Sequence, residues 1–366
     1  MYFDRRMLTT FDWHMAGATL TLVGLGILTL WSGNLGSPSA IRQGLYLRQT
    51  LWLAFGILAL LTAVLVNYRT LARFAYVIYG VLLALLIVVA LVGEVAYGAQ
   101  RWIRIAGWTL QPSEFMKLAL ILTLARYFED HKERLGDLRL LVVPTLLAVA
   151  PVLLILKQPD LGTSTLLCLL TLAMLLVVGL RGKHLLALVL AGAALAPLLW
   201  SFLKDYQRQR LLVFLSPQLD PLGAGYHITQ SKIAVGSGEL FGKGLKAASQ
   251  SQLQFLPASH TDFIFAVWAE QWGFIGCLVI LFLYYFLTTR GLEIASEARD
   301  LFGALMAFGV MAMITIQFVV NSGMVLGVMP VVGIPLPLLS YGGSSLVVTC
   351  LGIGLVINVR MRRFLY

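Results

Sequence analysis

Charge is scarce in this chain. Asp, Glu, Lys and Arg make up only 12% of its 366 residues, about half the share usual in a soluble domain. With 59% hydrophobic residues and a mean hydropathy of +0.86, that scarcity excludes a soluble enzyme. Cysteine is nearly absent. Cys168, Cys277 and Cys350 each lie inside an apolar run, which excludes a disulfide framework and reads them as small packing residues. The five histidines (His14, His131, His184, His227 and His260) lack the spacing of a zinc site. A phosphate loop is missing too. Gly238, Gly242, Lys243 and Gly244 come near one, but the glycine spacing is one residue short. A glycine also follows the lysine, where Ser or Thr would be needed. Without a nucleotide site, any chemistry must use a substrate that carries its own activated group.

What the chain has in abundance is long apolar runs, at about 13–31, 48–67, 72–93, 113–128, 138–156, 161–180, 184–203, 263–289, 301–322 and 342–359. Each is close to the roughly 20 residues that cross a bilayer as a helix; the run at 113–128 is the shortest and opens on polar residues. Continuous runs, as opposed to alternating ones, predict helices and not a barrel. The expected fold is therefore an all-α polytopic membrane protein of about ten transmembrane helices, forming one domain over 1–366. No cleavable signal peptide is expected, because the first run lacks a small-residue cleavage site. The net charge of +10 does not point to nucleic acid, since the basic residues flank the runs. Arg5, Arg6, Arg69, Arg73, Arg126, Arg290, Arg360 and Arg362 fall on one side and few on the other, which predicts both termini in the cytoplasm. Residues 204–262 then form one long extracytoplasmic loop between helices 7 and 8, rich in glycine and apolar residues and expected to fold back onto the membrane surface.

The polar residues collect at the outer helix ends. Glu114 and Lys117 lie three apart, on one helix face. Asp160 opens the sixth run and Asp262 the eighth, while Ser344 and Ser345 open the tenth. Ionisable groups at membrane depth are functional candidates by default. Each also has a plain structural reading. Asp160 and Asp262 suit N-caps, Glu114 and Lys117 suit an ion pair tying two helices together, and Arg101 with Arg104 suits a hairpin resting on headgroups.

Taken together, GAQRWIRI at 98–105, QPSEFMK at 111–117, KQPDLGTS at 157–164, SKIAVGSGELFGKG at 231–244, QSQLQFLPASHTDFIFAVWAEQWGFIG at 250–276 and GVMPVVGIPLPLLSYGGSS at 327–345 resemble the SEDS family (shape, elongation, division and sporulation). The last stretch is more similar to the elongation branch than to the division branch, where a Thr-Lys-Gly-Leu variant is usual. The resemblance implies a peptidoglycan glycosyltransferase of the bacterial cytoplasmic (inner) membrane. Such an enzyme polymerises lipid II on the outer face for cell elongation and rod shape, beside a class B penicillin-binding protein that crosslinks the glycan. It implies an essential aspartate at Asp262, and substrate-binding polar residues of the same cavity at Arg101, Glu114, Lys117 and Asp160.

Lipid II carries its own pyrophosphate leaving group, which agrees with the missing nucleotide site. Asp262 is the candidate base for the acceptor's sugar 4-hydroxyl, and partial burial would raise its pKa. Lys117 and Arg101, with Arg104 as a weaker candidate, offer positive charge for the departing pyrophosphate. Glu114 would orient Lys117, and Asp160 would organise the cavity. No cofactor is specified; a divalent cation (Mg or Mn) bridging pyrophosphate and carboxylate is compatible with this chemistry, but no metal-ligand set is apparent. Two other readings use the same residues: a lipid II transporter, which would want polar groups along its whole path, and a scaffold for the transpeptidase.

Overall fold

A computed structural model describes residues 10–35, 44–92, 94–96, 99–105, 108–134, 138–179, 190, 194, 205–216, 220, 223–245, 256 and 258–363. Its helices are α1 (Trp13–Gly33), α2 (Leu45–Leu65), α3 (Tyr68–Val92), α4 (Pro112–Asp130), α5 (Val142–Lys157), α6 (Leu161–Val177), α7 (Asp205–Leu215), α8 (Ala224–Ser237), α9 (Ile264–Ser296), α10 (Leu301–Val325) and α11 (Gly343–Met361). Nine of the ten apolar runs thus appear as helices, and the run at 184–203 lies outside the described residues apart from positions 190 and 194. The protein is a multi-pass helical membrane protein. α1, α2, α3, α9, α10 and α11 are long and apolar enough to cross a bilayer, while α5 and α6 are shorter apolar helices. α4 has 19 residues but carries Glu114, Lys117, Arg126, Glu129 and Asp130. It is buried among its neighbours over most of its length, as a charged helix must be in lipid.

Between α3 and α4 the chain makes a small antiparallel sheet of β1 (Glu94–Ala96), β2 (Ala99–Ile105) and β3 (Trp108–Leu110). Arg104 pairs with Thr109 and Ile103 with Leu110. Strand alternation then sets Arg101 and Ile103 on one face and Trp102 and Arg104 on the other. The hairpin reading of this stretch holds, enlarged by a third strand.

Close helix approach rests on small residues, as is usual within membranes. A Cβ on Gly354 would lie 2.6 Å from Leu60 O, and one on Gly26 would lie 2.5 Å from Leu339 O. Cys350 is buried against Gly56, whereas Cys168 on α6 is exposed. At the end of the bundle opposite the sheet, polar side chains tie the helices together. Asp12 caps α1 through Met15 N at 3.0 Å and pairs with Arg290 at 2.9 Å and with Arg360. Asn358 of α11 donates to Ala63 O, Val64 O and Val66 O at 2.8, 2.7 and 2.6 Å, closing the end of α2. Asn358→Leu removes the donor from all three carbonyls at once. It is expected to lower stability by about 1–3 kcal/mol, checked by thermal unfolding of the detergent-solubilised protein.

α9 is interrupted. Gly273 has φ +64° and ψ −160°, which breaks the helix into an upper and a lower piece. The Gly-rich segment 238–244 fills the break. Lys243 N and Gly244 N donate to Glu270 O and Gln271 O, and Phe274 N and Ile275 N donate to Glu239 O and Leu240 O. Lys243 Nζ lies 3.6 Å from the fully buried carboxylate of Glu270. The glycines that imitate a phosphate loop are therefore a backbone clasp. Irregular backbone at this depth is tolerated because its polar groups are satisfied within the protein. In the stretch expected as a loop at 204–262, the described part contains two helices, α7 and α8, with α8 packed on α9.

Candidate functional site

The site lies at the sheet end of the bundle. Asp262 sits in the turn that precedes α9. It is not the cap of that helix: Phe263 is the N-cap, and no side chain caps it. The capping explanation of Asp262 therefore fails, and the carboxylate has no local structural duty of that kind. Instead the turn is clamped from outside. Asn321 of α10 donates to Asp262 O at 2.9 Å and to Ile334 O at 2.7 Å. Ser340 Oγ donates to Thr261 O at 2.6 Å, and Tyr341 N donates to His260 O at 2.9 Å. The ring of His227 on α8 stacks over Phe263 at 6.1 Å. Asp262 is thus held by α8, α10 and the 334–341 segment at once.

Burial pushes the Asp262 carboxyl up to about 6, and Asp160 pushes in the same direction; Arg210, the Thr261 side chain and Arg101 oppose the rise. The expectation of a raised pKa is met, by the expected cause.

Asp160 does cap its helix. Its Oδ1 accepts from Thr163 N at 3.1 Å, and its Oδ2 from Thr163 Oγ1 at 2.9 Å and Gln111 Nε2 at 3.3 Å. Arg101 Nη1 stands 3.6 Å from the same oxygen. Arg101 Nε donates to Gln158 O at 3.2 Å, and its Nη2 donates to Pro159 O. Arg101 therefore pins the sheet to the turn between α5 and α6, and Arg104, exposed on the opposite face of β2, does not share this place. The α6 end meets the Asp262 side through Gly162, where a Cβ would lie 2.8 Å from Val332 O and 3.0 Å from Gly333 O.

Glu114 and Lys117 form a 2.6 Å pair, 5% and 1% exposed. The pair lies within α4 and does not tie two helices together, because a three-residue step brings both onto one face. The first turn of α4 is joined to the site by Gln111, which reaches Asp160 with its side chain and Ser344 Oγ with its backbone N–H at 3.0 Å. Beside Ser344 a groove of about 400 Å3 opens between α2, α4 and α11, lined by Trp52, Phe55, Leu58, Phe115, Val347 and Leu351. Phe55 and Leu58 are exposed, so the groove faces the lipid side.

Among the described residues, no group of three or more His, Cys, Asp or Glu is placed to hold a metal.

Sequence reasoning missed three groups. Asn321 and Gln317 lie one turn apart on α10 inside an apolar run, and both are buried; amides at membrane depth were the available signal. Glu270 is fully buried and carried the same signal. Arg210 of α7, which flanks Asp262, lay in a segment read only for its glycines.

Comparison with known proteins agrees with this picture. The family model described as cell cycle protein FtsW/RodA/SpoVE matches residues 13–364. The chain is 42% identical over 346 residues to peptidoglycan glycosyltransferase MrdB of Escherichia coli (strain K12), covering 94% of this chain and 93% of that protein. It is 38% identical to stage V sporulation protein E of Bacillus subtilis (strain 168), covering 93% and 94%. Among solved structures, a chain from work on structural coordination of polymerization and crosslinking by a peptidoglycan synthase complex superposes with a TM-score of 0.82 at 35% identity, covering 97% and 99%. Rod shape determining protein RodA of Thermus thermophilus gives 0.72 at 32% identity, covering 97% and 98%. With nearly its whole length matched in sequence and in structure, the chain belongs to the FtsW/RodA/SpoVE family, the SEDS family its motifs resemble.

Proposed function

We infer that the protein is a peptidoglycan glycosyltransferase of the RodA type, polymerising lipid II on the outer face of the bacterial cytoplasmic membrane for elongation and rod shape. The observation that carries this reading is Asp262: a carboxylate outside the span, free of capping duty and held with a raised pKa among polar groups at one end of the bundle. The acceptor's 4-hydroxyl gives its proton to Asp262, and the hydroxyl oxygen bonds to the donor's anomeric carbon. The bond from that carbon to phosphate breaks, and its electron pair leaves with the polyprenyl diphosphate. Arg101 and Lys117 supply positive charge on the sheet side, held in place by Asp160 and Glu114 respectively. No step requires a metal. The apolar groove beside Ser344 suits the polyprenyl tail, with its upper end at Gln111 and hence at Asp160.

Ten crossings with both termini cytoplasmic fit this placement. The 204–262 segment then lies outside, with the substrate. A class B penicillin-binding protein is the expected partner; the likeness to a chain of a peptidoglycan synthase complex supports it. Transport is the weaker reading, because the candidate site residues gather at the sheet end, while Asp12, Arg290, Arg360 and Asn358 at the opposite end are taken up in ties between helices.

A base works only when ionised, so the rate must fall as pH drops through the carboxyl's pKa. With that value near 6, polymerisation by the purified complex is expected to be flat above about pH 7. It should fall about tenfold per pH unit well below 6. A rate that stays constant down to pH 4.5, with the protein still folded, contradicts the assignment of Asp262 as base.

A further inference from the structure

The bend at Gly333 is a gap with a charge on each side. A Cβ placed on Gly333 would stand 3.3 Å from Asp262 Oδ2 and 4.0 Å from Arg210 Nη1, which puts those two atoms no more than about 7 Å apart. Gly333 has φ +76°, a left-handed conformation that disfavours a side chain. Its carbonyl is packed by Gly162. The floor between carboxylate and guanidinium is therefore bare backbone. Arg210 comes to this gap from α7, outside the membrane-spanning helices, and is half-buried.

The other cations of the site are placed differently. Arg101 turns its Nε and Nη2 to the carbonyls of Gln158 and Pro159, and Lys117 is sealed within α4 against Glu114. Both serve the site from the side of the sheet and α4. Arg210 approaches the base across Gly333. A hydroxyl proton shared with Asp262 needs an oxygen about 2.7 Å from the carboxylate, and a guanidinium meets a phosphate oxygen at about 2.8 Å. A separation of at most about 7 Å lets one substrate meet both groups.

We propose that Arg210 is a substrate-binding residue of this site, its guanidinium taking the phosphate oxygens of the lipid-linked donor while Asp262 faces the acceptor hydroxyl. This rests on the glycosyltransferase reading above. As the anomeric carbon–oxygen bond breaks, its electron pair moves onto the diphosphate. A planar guanidinium with parallel N–H donors matches that growing charge better than an ammonium does. Asp262 already senses Arg210 more strongly than it senses Arg101, as their placement across Gly333 requires.

The test uses the full-length protein with its transpeptidase partner and a short-chain prenyl diphosphate as the probe. Binding is read by thermal shift, so inactive variants can be compared. Arg210→Gln is expected to weaken probe binding at least tenfold and to lower kcat/KM for polymerisation at least tenfold, and Arg210→Lys to recover part of both. Asp262→Asn should bind the probe as the unaltered protein does. Unchanged probe binding in a folded Arg210→Gln variant overturns the proposal, even when activity is lost, because the residue then acts only on the fold. If Arg210→Gln does not fold, Arg210→Lys binding the probe and turning over as the unaltered protein does overturns it. If Asp262→Asn stays fully active while Arg210→Gln loses the probe, the base assignment fails and the assignment of Arg210 stands.

Discussion

Asp262→Asn is expected to lower glycan polymerisation by about 10²- to 10⁴-fold, the usual contribution of a positioned general base, with little loss of stability. The amide is nearly the same size as the carboxylate, and the contacts that hold the turn are made by backbone atoms. Asn321 donates to the Asp262 carbonyl, Ser340 donates to the Thr261 carbonyl, and the His260 carbonyl receives Tyr341 N. None of these uses the Asp262 side chain. The mutation therefore separates chemistry from architecture more cleanly than a change at Asp160 would, since Asp160 caps α6 and gathers Gln111, Thr163 and Arg101. Glycan ladder formation alongside thermal unfolding checks this. Retained activity, or activity lost only together with the fold, contradicts it.

Gly273→Ala is expected to produce a large structural effect. A Cβ there would stand 2.4 Å from Gly242 N, 2.7 Å from Gly238 O and 2.7 Å from Leu240 C, all backbone atoms that cannot rotate aside. The φ of +64° adds a conformational penalty for any L side chain. Together these amount to roughly 2–4 kcal/mol, and relief requires expelling the 238–244 clasp from the break. The four backbone bonds to Glu270, Gln271, Glu239 and Leu240 would be lost with it, and Glu270 would be left buried without Lys243. Gly80→Ala, where a Cβ meets nothing within 4 Å, is the matched control and should leave the melting temperature unchanged or slightly raised. Equal melting temperatures for the two variants would contradict this account of the clasp. Because the upper piece of α9 begins directly after Asp262, expulsion of the clasp should also depress activity.

The helical layout was legible in the sequence because a bilayer imposes a length on every apolar run, and α1, α9, α10 and α11 begin within a few residues of where those runs begin. Asp160, Asp262, Arg101, Glu114 and Lys117 were legible because charge at membrane depth is costly and stands out. What charge alone could not show is how each is used. Asp160 caps and Asp262 does not, although both precede helices, because the α9 turn is turned aside and tied to Asn321 and Ser340, partners 59 and 79 residues away in sequence. The clasp was hidden for a similar reason. Glycines 238, 242 and 244 have meaning only against the break at Gly273, and no local pattern joins the two. Arg210 was overlooked because a lone arginine on a short polar helix is ordinary until the fold sets it across a glycine from the base.

The central claim is that this bundle makes a glycosidic bond and does not merely carry its lipid-linked substrate. The most direct measurement supplies the purified protein and its transpeptidase partner with lipid II as the sole substrate, without nucleotide, and resolves the products by size. The account predicts a ladder of glycan strands with release of polyprenyl diphosphate. Movement of lipid II between leaflets of a vesicle with no polymer formed, by a folded and partner-bound protein, would contradict it.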